Sequence, residues 1–127
     1  MTKVLSVGQC GADEPQIRRL IEGVVTGARV VQAHSAAEAL TMVKQQVFSL
    51  VLVNRVFDAT GESGLDFVSD VKAIRPEQSV VLVSNYADAQ QDAISRGALP
   101  GFGKSALRDA STVALVRKYL SASVGVG

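Results

Sequence analysis

The sequence is poor in the residues on which specialised frameworks and sites depend. Its 127 residues include one cysteine, Cys10, one histidine, His34, and no tryptophan, and aromatic residues make up only 5% of the chain. One cysteine excludes an internal disulfide framework, and together with a single histidine it excludes a structural zinc cluster. The 13 basic and 12 acidic side chains leave a net charge of +1, so no positive excess favours nucleic acid or an acidic membrane surface.

The chain also lacks a long hydrophobic run. No segment approaches the roughly 18–20 apolar residues of a membrane span, and the opening MTKVLSV enters a strand-like pattern with no signal peptide before it. Hydrophobic residues at 47% and charged residues at 20% are typical of a globular protein. We therefore expect a cytoplasmic protein with one domain over residues 1–121 and a flexible tail over 122–127.

What the chain does have is a regular alternation of two patterns. Short apolar segments typical of strands alternate with longer segments whose apolar residues recur every three or four positions, as on one face of a helix. The predicted strands cover 3–7, 28–33, 48–53, 79–84 and 99–103. The first predicted helix starts near Asp13–Pro15 and ends at Gly27, and the second starts at the capping signature of Ser35 and Glu38. The other three predicted helices cover about 65–74, about 87–96 and about 107–120.

Five such units with short linkers predict a parallel sheet with helices on both faces. The first, third and fourth strands are continuously apolar, whereas Gln32, Gly101 and Gly103 interrupt the second and fifth. Because the central strands of such a sheet are the apolar ones, the pattern favours a flavodoxin-like, doubly wound (βα)5 α/β fold of strand order 2-1-3-4-5. In such folds, sites lie at the carboxyl ends of the first and third strands.

The segment LVLVNRVFD (50–58) runs from the third strand into Asn54, and the loop GQCG (8–11) follows the first strand. This arrangement resembles the receiver domains of two-component response regulators (CheY-like) over nearly the whole chain. In that family an acidic pair ends the first strand and holds Mg²⁺, and an aspartate ends the third strand and attacks phosphorus. A Thr or Ser ends the fourth strand and a lysine ends the fifth, where they bind the phosphoryl oxygens.

On this sequence the family's acidic pair falls on Gly8 and Gln9, its phospho-acceptor on Asn54, its hydroxyl on Ser84 and its lysine on Lys104. The resemblance therefore implies a pseudo-receiver, in which the hydroxyl and the lysine are retained and every anionic position is lost. A pocket whose matched positions have only a lysine charge repels Mg²⁺, and an amide is a poor nucleophile. We expect no aspartyl phosphate at position 54, no metal or other cofactor, and no enzymatic activity.

Two hypotheses follow for the pocket itself. Lys104 donates a hydrogen bond to the side-chain oxygen of Asn54, or else Lys104, Ser84 and loop N–H groups hold a sulfate or phosphate ion. A displaced aspartate, Asp13 or Asp58, would instead make the chain a phosphorylatable receiver. The remaining alternative is a small anion- or nucleotide-binding flavodoxin-like protein.

The nucleotide-binding alternative rests on the segment GFGKS (101–105). It approaches a phosphate-binding P-loop, but the full motif requires glycine at position 98, where the chain has Ala98.

The resemblance implies a role in phosphorelay-type signalling through contact with a protein partner, such as a histidine kinase, a regulator or another signalling domain. Neither nucleic acid nor a membrane is expected as a partner. Receiver domains usually meet partners, or dimerise, through the face of the fourth helix, fifth strand and last helix. In this chain the candidate residues of that face are Tyr86, Gln90, Arg96, Phe102, Arg117 and Lys118.

Overall fold

Five βα units follow one another along the chain, as the sequence predicts. The computed structural model describes the backbone of residues 2–126 and the side chains of residues 2–122. Its strands are β1 (Lys3–Val7), β2 (Arg29–Ala33), β3 (Leu50–Asn54), β4 (Val80–Val83) and β5 (Leu99–Phe102). Its helices are α1 (Glu14–Val24), α2 (Ala36–Gln45), α3 (Gly64–Ile74), α4 (Ala87–Ser95) and α5 (Ala110–Val126), with a short 3-10 helix at Lys104–Ala106.

The strands form one parallel sheet in the order β2-β1-β3-β4-β5, which confirms the predicted topology. In its centre Val4 of β1 pairs with Leu50 of β3, and Val51 of β3 pairs with Val80 of β4. The pairing of β4 with β5 is irregular, because the register shifts between Val81 and Val83. The outer strands β2 and β5 each pair on one side only, which explains why their sequences are less continuously apolar than those of the central strands.

Two hydrophobic layers enclose the sheet, because successive strand residues face opposite sides. One layer, which includes Leu5, Val51 and Leu82, packs against α2, α3 and α4. The other, which includes Val4 and Leu52, packs against α1 and α5. Over the described residues, no helix combines the length and the apolar character that a membrane crossing requires.

The capping chemistry of α2 agrees with the sequence. The Ser35 hydroxyl accepts a hydrogen bond from the Glu38 N–H at 3.1 Å, and the Glu38 carboxylate accepts one from the His34 N–H at 2.8 Å. Helix α1 begins differently, because Asp13 stands at its N-cap position but its side chain makes no capping hydrogen bond. This leaves the Asp13 carboxylate available for another partner.

Several predicted boundaries shift. The third strand begins at Leu50 and includes Asn54, so the amide belongs to the strand itself. The last helix, predicted over 107–120, begins at Ala110 as α5, after the short 3-10 helix at Lys104–Ala106. It continues to Val126 and so enters the segment predicted as a tail. Gly127 lies outside the described residues, and the domain limit at residue 121 stays a prediction.

Candidate functional site

The three predicted pocket residues Asn54, Ser84 and Lys104 lie around one cavity at the carboxyl ends of β3, β4 and β5. This strand-end cavity has a volume of about 360 Å³. Arg55, Val56, Val83, Asn85 and Tyr86 complete its lining. The convergence follows from topology, because the ends of adjacent parallel strands meet at one edge of the sheet.

Asn54 is held by its amide nitrogen. Its side chain is 5% exposed, and its Nδ2 donates a hydrogen bond to the carbonyl oxygen of Gly8 at 2.9 Å. The N–H of Asp58 donates to the same oxygen at 3.0 Å. The Gly8 carbonyl therefore ties the end of β1 to β3 and to the loop after it, and this arrangement needs a donor at position 54.

The backbone of Gly8 leaves no room for a side chain. Its φ of 74° lies in the left-handed region that favours glycine, and an added Cβ would overlap the ring of Phe57. Phe57 is fully buried and makes an edge-to-face contact with Phe67, with ring centroids 5.7 Å apart. A buried aromatic ring thus fills the space into which a side chain at position 8 would project.

Gln9 is also buried and makes only weak contacts. Its Nε2 is 3.5 Å from the carbonyl oxygen of Val7, and its Oε1 has no hydrogen-bond partner. An unpaired buried polar atom is costly, so the Gln9 Oε1 is a locally destabilising group just after β1.

Lys104 does not contact the oxygen of Asn54, so that hypothesis is wrong. Its Nζ lies 3.2 Å from the Asp13 Oδ2 in a partly buried ion pair. The sequence analysis placed Asp13 at the start of the first helix and considered it as a displaced acceptor, but it did not predict a contact with Lys104. It missed this pairing because the turn that brings the first loop against the fifth strand's end is a tertiary feature.

Arg55 escaped the sequence analysis, and Tyr86, which was predicted only for the interaction face, also lines the cavity. The Arg55 guanidinium lies over the ring of Tyr86, 4.7 Å from its centroid, which is a cation–π distance. Arg55 follows β3 directly, and Tyr86 precedes α4, so the pair spans the two loops beside the cavity. The signal was available, since residues that follow a strand end at the sheet's carboxyl edge are expected near a site.

Comparison with solved structures identifies the fold. No protein-family model matches this chain, and no curated protein matches it. A receiver domain protein (CheY-like) from Methanospirillum hungatei JF-1 has a TM-score of 0.79 at 20% identity, over 100% of this chain and 99% of that chain. NtrX from Brucella abortus has a TM-score of 0.79 at 23% identity, and the match covers 97% of this chain but only 28% of that one. The fold is that of response regulator receiver domains.

A third neighbour is a response regulator that was solved with ligands. A response regulator from Burkholderia pseudomallei was solved with a phosphorylated aspartic acid, a calcium ion and citrate, and it matches with a TM-score of 0.73 at 19% identity over 99% of this chain and 71% of that chain. In this chain an asparagine lies at the end of β3, and the charged residues that line the cavity are Arg55 and Lys104.

The residues present do not fit a divalent cation of the receiver type. Such a cation requires oxygen ligands with negative charge. Position 8 has no side chain and no space for one, position 54 directs an amide donor toward Gly8, and the cations Arg55 and Lys104 face the cavity. Asp58 is exposed and does not line the cavity.

The structure divides the predicted interaction face. Tyr86 is 57% exposed, and Arg117 and Lys118 are exposed on α5. Phe102 is 6% exposed and belongs to the core, so it does not contribute to a surface.

The other two members of the predicted face make contacts within the chain. Gln90 is half-buried, and its Nε2 donates to the carbonyl oxygens of Leu82 at 2.8 Å and Ser84 at 3.1 Å. Arg96 pairs with Asp92 at 2.9 Å and reaches Asp66 of α3 at 3.1 Å. The hydrogen bond that Arg96 donates to the Asp92 carboxylate raises the pKa of the Arg96 guanidinium.

Proposed function

We propose that this chain is a receiver-like module of two-component signalling that works through protein–protein contact and is not phosphorylated at position 54. The receiver fold supports the first part. The observation on which the second part rests is the hydrogen bond from Asn54 Nδ2 to the Gly8 carbonyl. It fixes a neutral donor where a receiver needs a nucleophilic carboxylate.

The chemistry of phosphoryl transfer explains why this matters. An attacking oxygen must offer a lone pair, and a carboxylate anion has one to give. The Asn54 amide is neutral, and its nitrogen lone pair is delocalised into the carbonyl group. The developing negative charge would also have no Mg²⁺ to neutralise it, because the acidic pair is replaced by Gly8 and Gln9.

Signalling would then depend on a surface that contacts a protein partner and not on a phosphoryl-transfer reaction, and we propose no catalytic activity. The exposed Tyr86, Arg117 and Lys118 are the members of the predicted face that a protein partner would contact. Tyrosine and arginine are enriched at such interfaces, which supports this choice. The partner class remains a histidine kinase, a regulator or another signalling domain, with a homodimer through the same face as a further option. A cytoplasmic location stays a prediction.

Intact-mass measurement after treatment with a small phosphodonor and Mg²⁺ tests the proposal. We expect no stoichiometric gain of one phosphoryl group, because position 54 has no nucleophilic oxygen anion. A receiver domain that has its aspartate, treated in parallel, shows that the donor is active. A stoichiometric gain that maps to the peptide containing Asn54 would contradict the proposal.

One observation favours a displaced acceptor at Asp13 over Asp58. Asp13 lies against Lys104, whereas Asp58 is exposed and outside the strand-end cavity. The same mass experiment covers this second candidate, since a phosphoryl group on Asp13 would disappear in the Asp13→Asn variant. The same ion pair nonetheless argues against phosphorylation of Asp13, because Lys104 stabilises the Asp13 carboxylate but brings no metal to the phosphoryl oxygens.

Binding of a small oxyanion in the strand-end cavity is the other alternative with direct support. Arg55 and Lys104 are both cationic and both line the cavity, and Ser84 adds a hydroxyl. Phosphate or sulfate would compete with Asp13 for Lys104 and with Tyr86 for Arg55. Such an ion would be a ligand and not a reactant, so it is compatible with the proposed function.

A further inference from the structure

A second cavity lies between α1 and α5, away from the strand-end cavity. This α1–α5 groove has a volume of about 210 Å³ and an apolar floor formed by Leu20, Val24, Leu107 and Val113. Its volume exceeds the roughly 150 Å³ of an apolar cavity that is able to bind benzene. A short aliphatic chain therefore fits within it.

Two arginines border the α1–α5 groove. Arg19 and Arg108 line it, and both are exposed. Over residues 2–122, where side chains are described, neither of them forms an ion pair. Guanidinium groups bind carboxylates through paired hydrogen bonds. An apolar floor bordered by two such groups is complementary to a ligand with an aliphatic chain and an anionic head.

Gly23 keeps one side of the groove open. Glycine is less favourable than alanine inside a helix, yet Gly23 lies within α1 and lines the groove. Its φ is not in the left-handed region, and apart from its chain neighbours and the adjacent backbone of α1 no heavy atom of the described residues lies within 4 Å of an added Cβ. Neither backbone conformation nor packing within the chain requires glycine here. A ligand in the groove supplies a reason for it.

From these features we propose that the α1–α5 groove binds a short aliphatic carboxylate. Its chain would pack on the apolar floor, and its carboxylate would accept hydrogen bonds from Arg19 and Arg108. The groove shares no lining residue with the strand-end cavity. The two proposals can therefore fail separately.

Titration of the ¹⁵N-labelled full chain with sodium octanoate tests the site. We expect saturable shifts of the amide signals of the groove residues, with a dissociation constant of about 1 mM or tighter. Acetate, which lacks the chain, and octanol, which lacks the charge, should each bind at least about tenfold more weakly. Absence of saturable shifts with octanoate, or equal shifts with acetate, would overturn the proposal.

Variants at Gly23 and at the arginines separate this site from unspecific binding. Gly23→Leu should abolish octanoate binding by filling the groove, whereas Gly23→Ala should retain it, since both variants have free space at Cβ and should fold. Arg19→Gln and Arg108→Gln should each weaken binding about three- to tenfold. Arg29→Gln, at an exposed arginine outside the groove, is the control and should change nothing. Unchanged affinity in Gly23→Leu would refute the site.

Discussion

At the scale of single residues, Asn54 and Gly8 act as a pair. Gly8 directly follows β1, and its carbonyl oxygen accepts hydrogen bonds from Asn54 of β3 and from Asp58 in the loop after β3. Its φ is positive, and the ring of Phe57 occupies the space into which a side chain at position 8 would project. The glycine at position 8 and the amide donor at position 54 therefore belong to one arrangement of contacts.

A carboxylate at position 54 should destabilise the protein. Asn54→Asp replaces the donor with an anionic acceptor 2.9 Å from the Gly8 carbonyl oxygen. The hydrogen bond is lost, and two acceptors then face each other in a buried site. We expect the free energy of unfolding in urea to fall by about 1–3 kcal/mol at neutral pH.

Asn85→Asp is the matched control for Asn54→Asp. It makes the same change of charge beside the same cavity, but Asn85 is exposed and its Oδ1 accepts hydrogen bonds from Ser105, which an aspartate can also accept. Its unfolding free energy should change by less than about 0.5 kcal/mol. Equal effects of the two variants would show that the Asn54–Gly8 hydrogen bond has no special role.

At the scale of elements, the connection from β3 to α3 is held in place by hydrogen bonds within itself and to α2. Val56 and Ser63 form an antiparallel bridge, and Phe57 N–H donates to the Glu62 carbonyl at 2.9 Å, so the loop folds back as a small hairpin. The Glu62 carboxylate accepts a hydrogen bond from the Ala36 N–H at the start of α2. This loop is fixed to a neighbouring helix and holds Phe57 over Gly8.

Gln90 joins α4 to the irregular edge of the sheet. Its Nε2 donates to the carbonyl oxygen of Leu82 in β4, and its Oε1 accepts from the Gly101 N–H at 3.3 Å. We expect Gln90→Ala to lower the unfolding free energy by about 1–3 kcal/mol, since it leaves backbone groups unpaired. It should also speed hydrogen exchange of the Gly101 amide. Gln91→Ala, one residue further on and exposed, should do neither. Similar losses in both variants would contradict this role.

At the scale of the whole molecule, the strand order and the convergence of Asn54, Ser84 and Lys104 could be predicted from the sequence. Hydrophobic periodicity indicated the elements, and parallel topology then placed the strand ends together. The local capping of α2 was also predictable, because Ser35 and Glu38 are three residues apart.

The contacts within the site were not predictable in the same way. Lys104 pairs with Asp13 and not with Asn54, and the Gln90 amide forms hydrogen bonds with the sheet. Both outcomes depend on how loops and helices pack in three dimensions, which a one-dimensional pattern does not encode. The burial of Phe102 has a similar origin, since the register shift between β4 and β5 determines which residue of β5 faces the core.

On the function proposed above, the strand-end cavity does not bind a metal and a phosphoryl group together. A crystal structure of the chain soaked with Mg²⁺ and beryllofluoride, a phosphoryl mimic, is the sharpest test of that proposal. We expect no Mg²⁺ in the strand-end cavity and no beryllium bonded to an oxygen of Asn54 or Asp13. Beryllofluoride bonded to either side chain, with Mg²⁺ coordinated beside it, would contradict the proposed function.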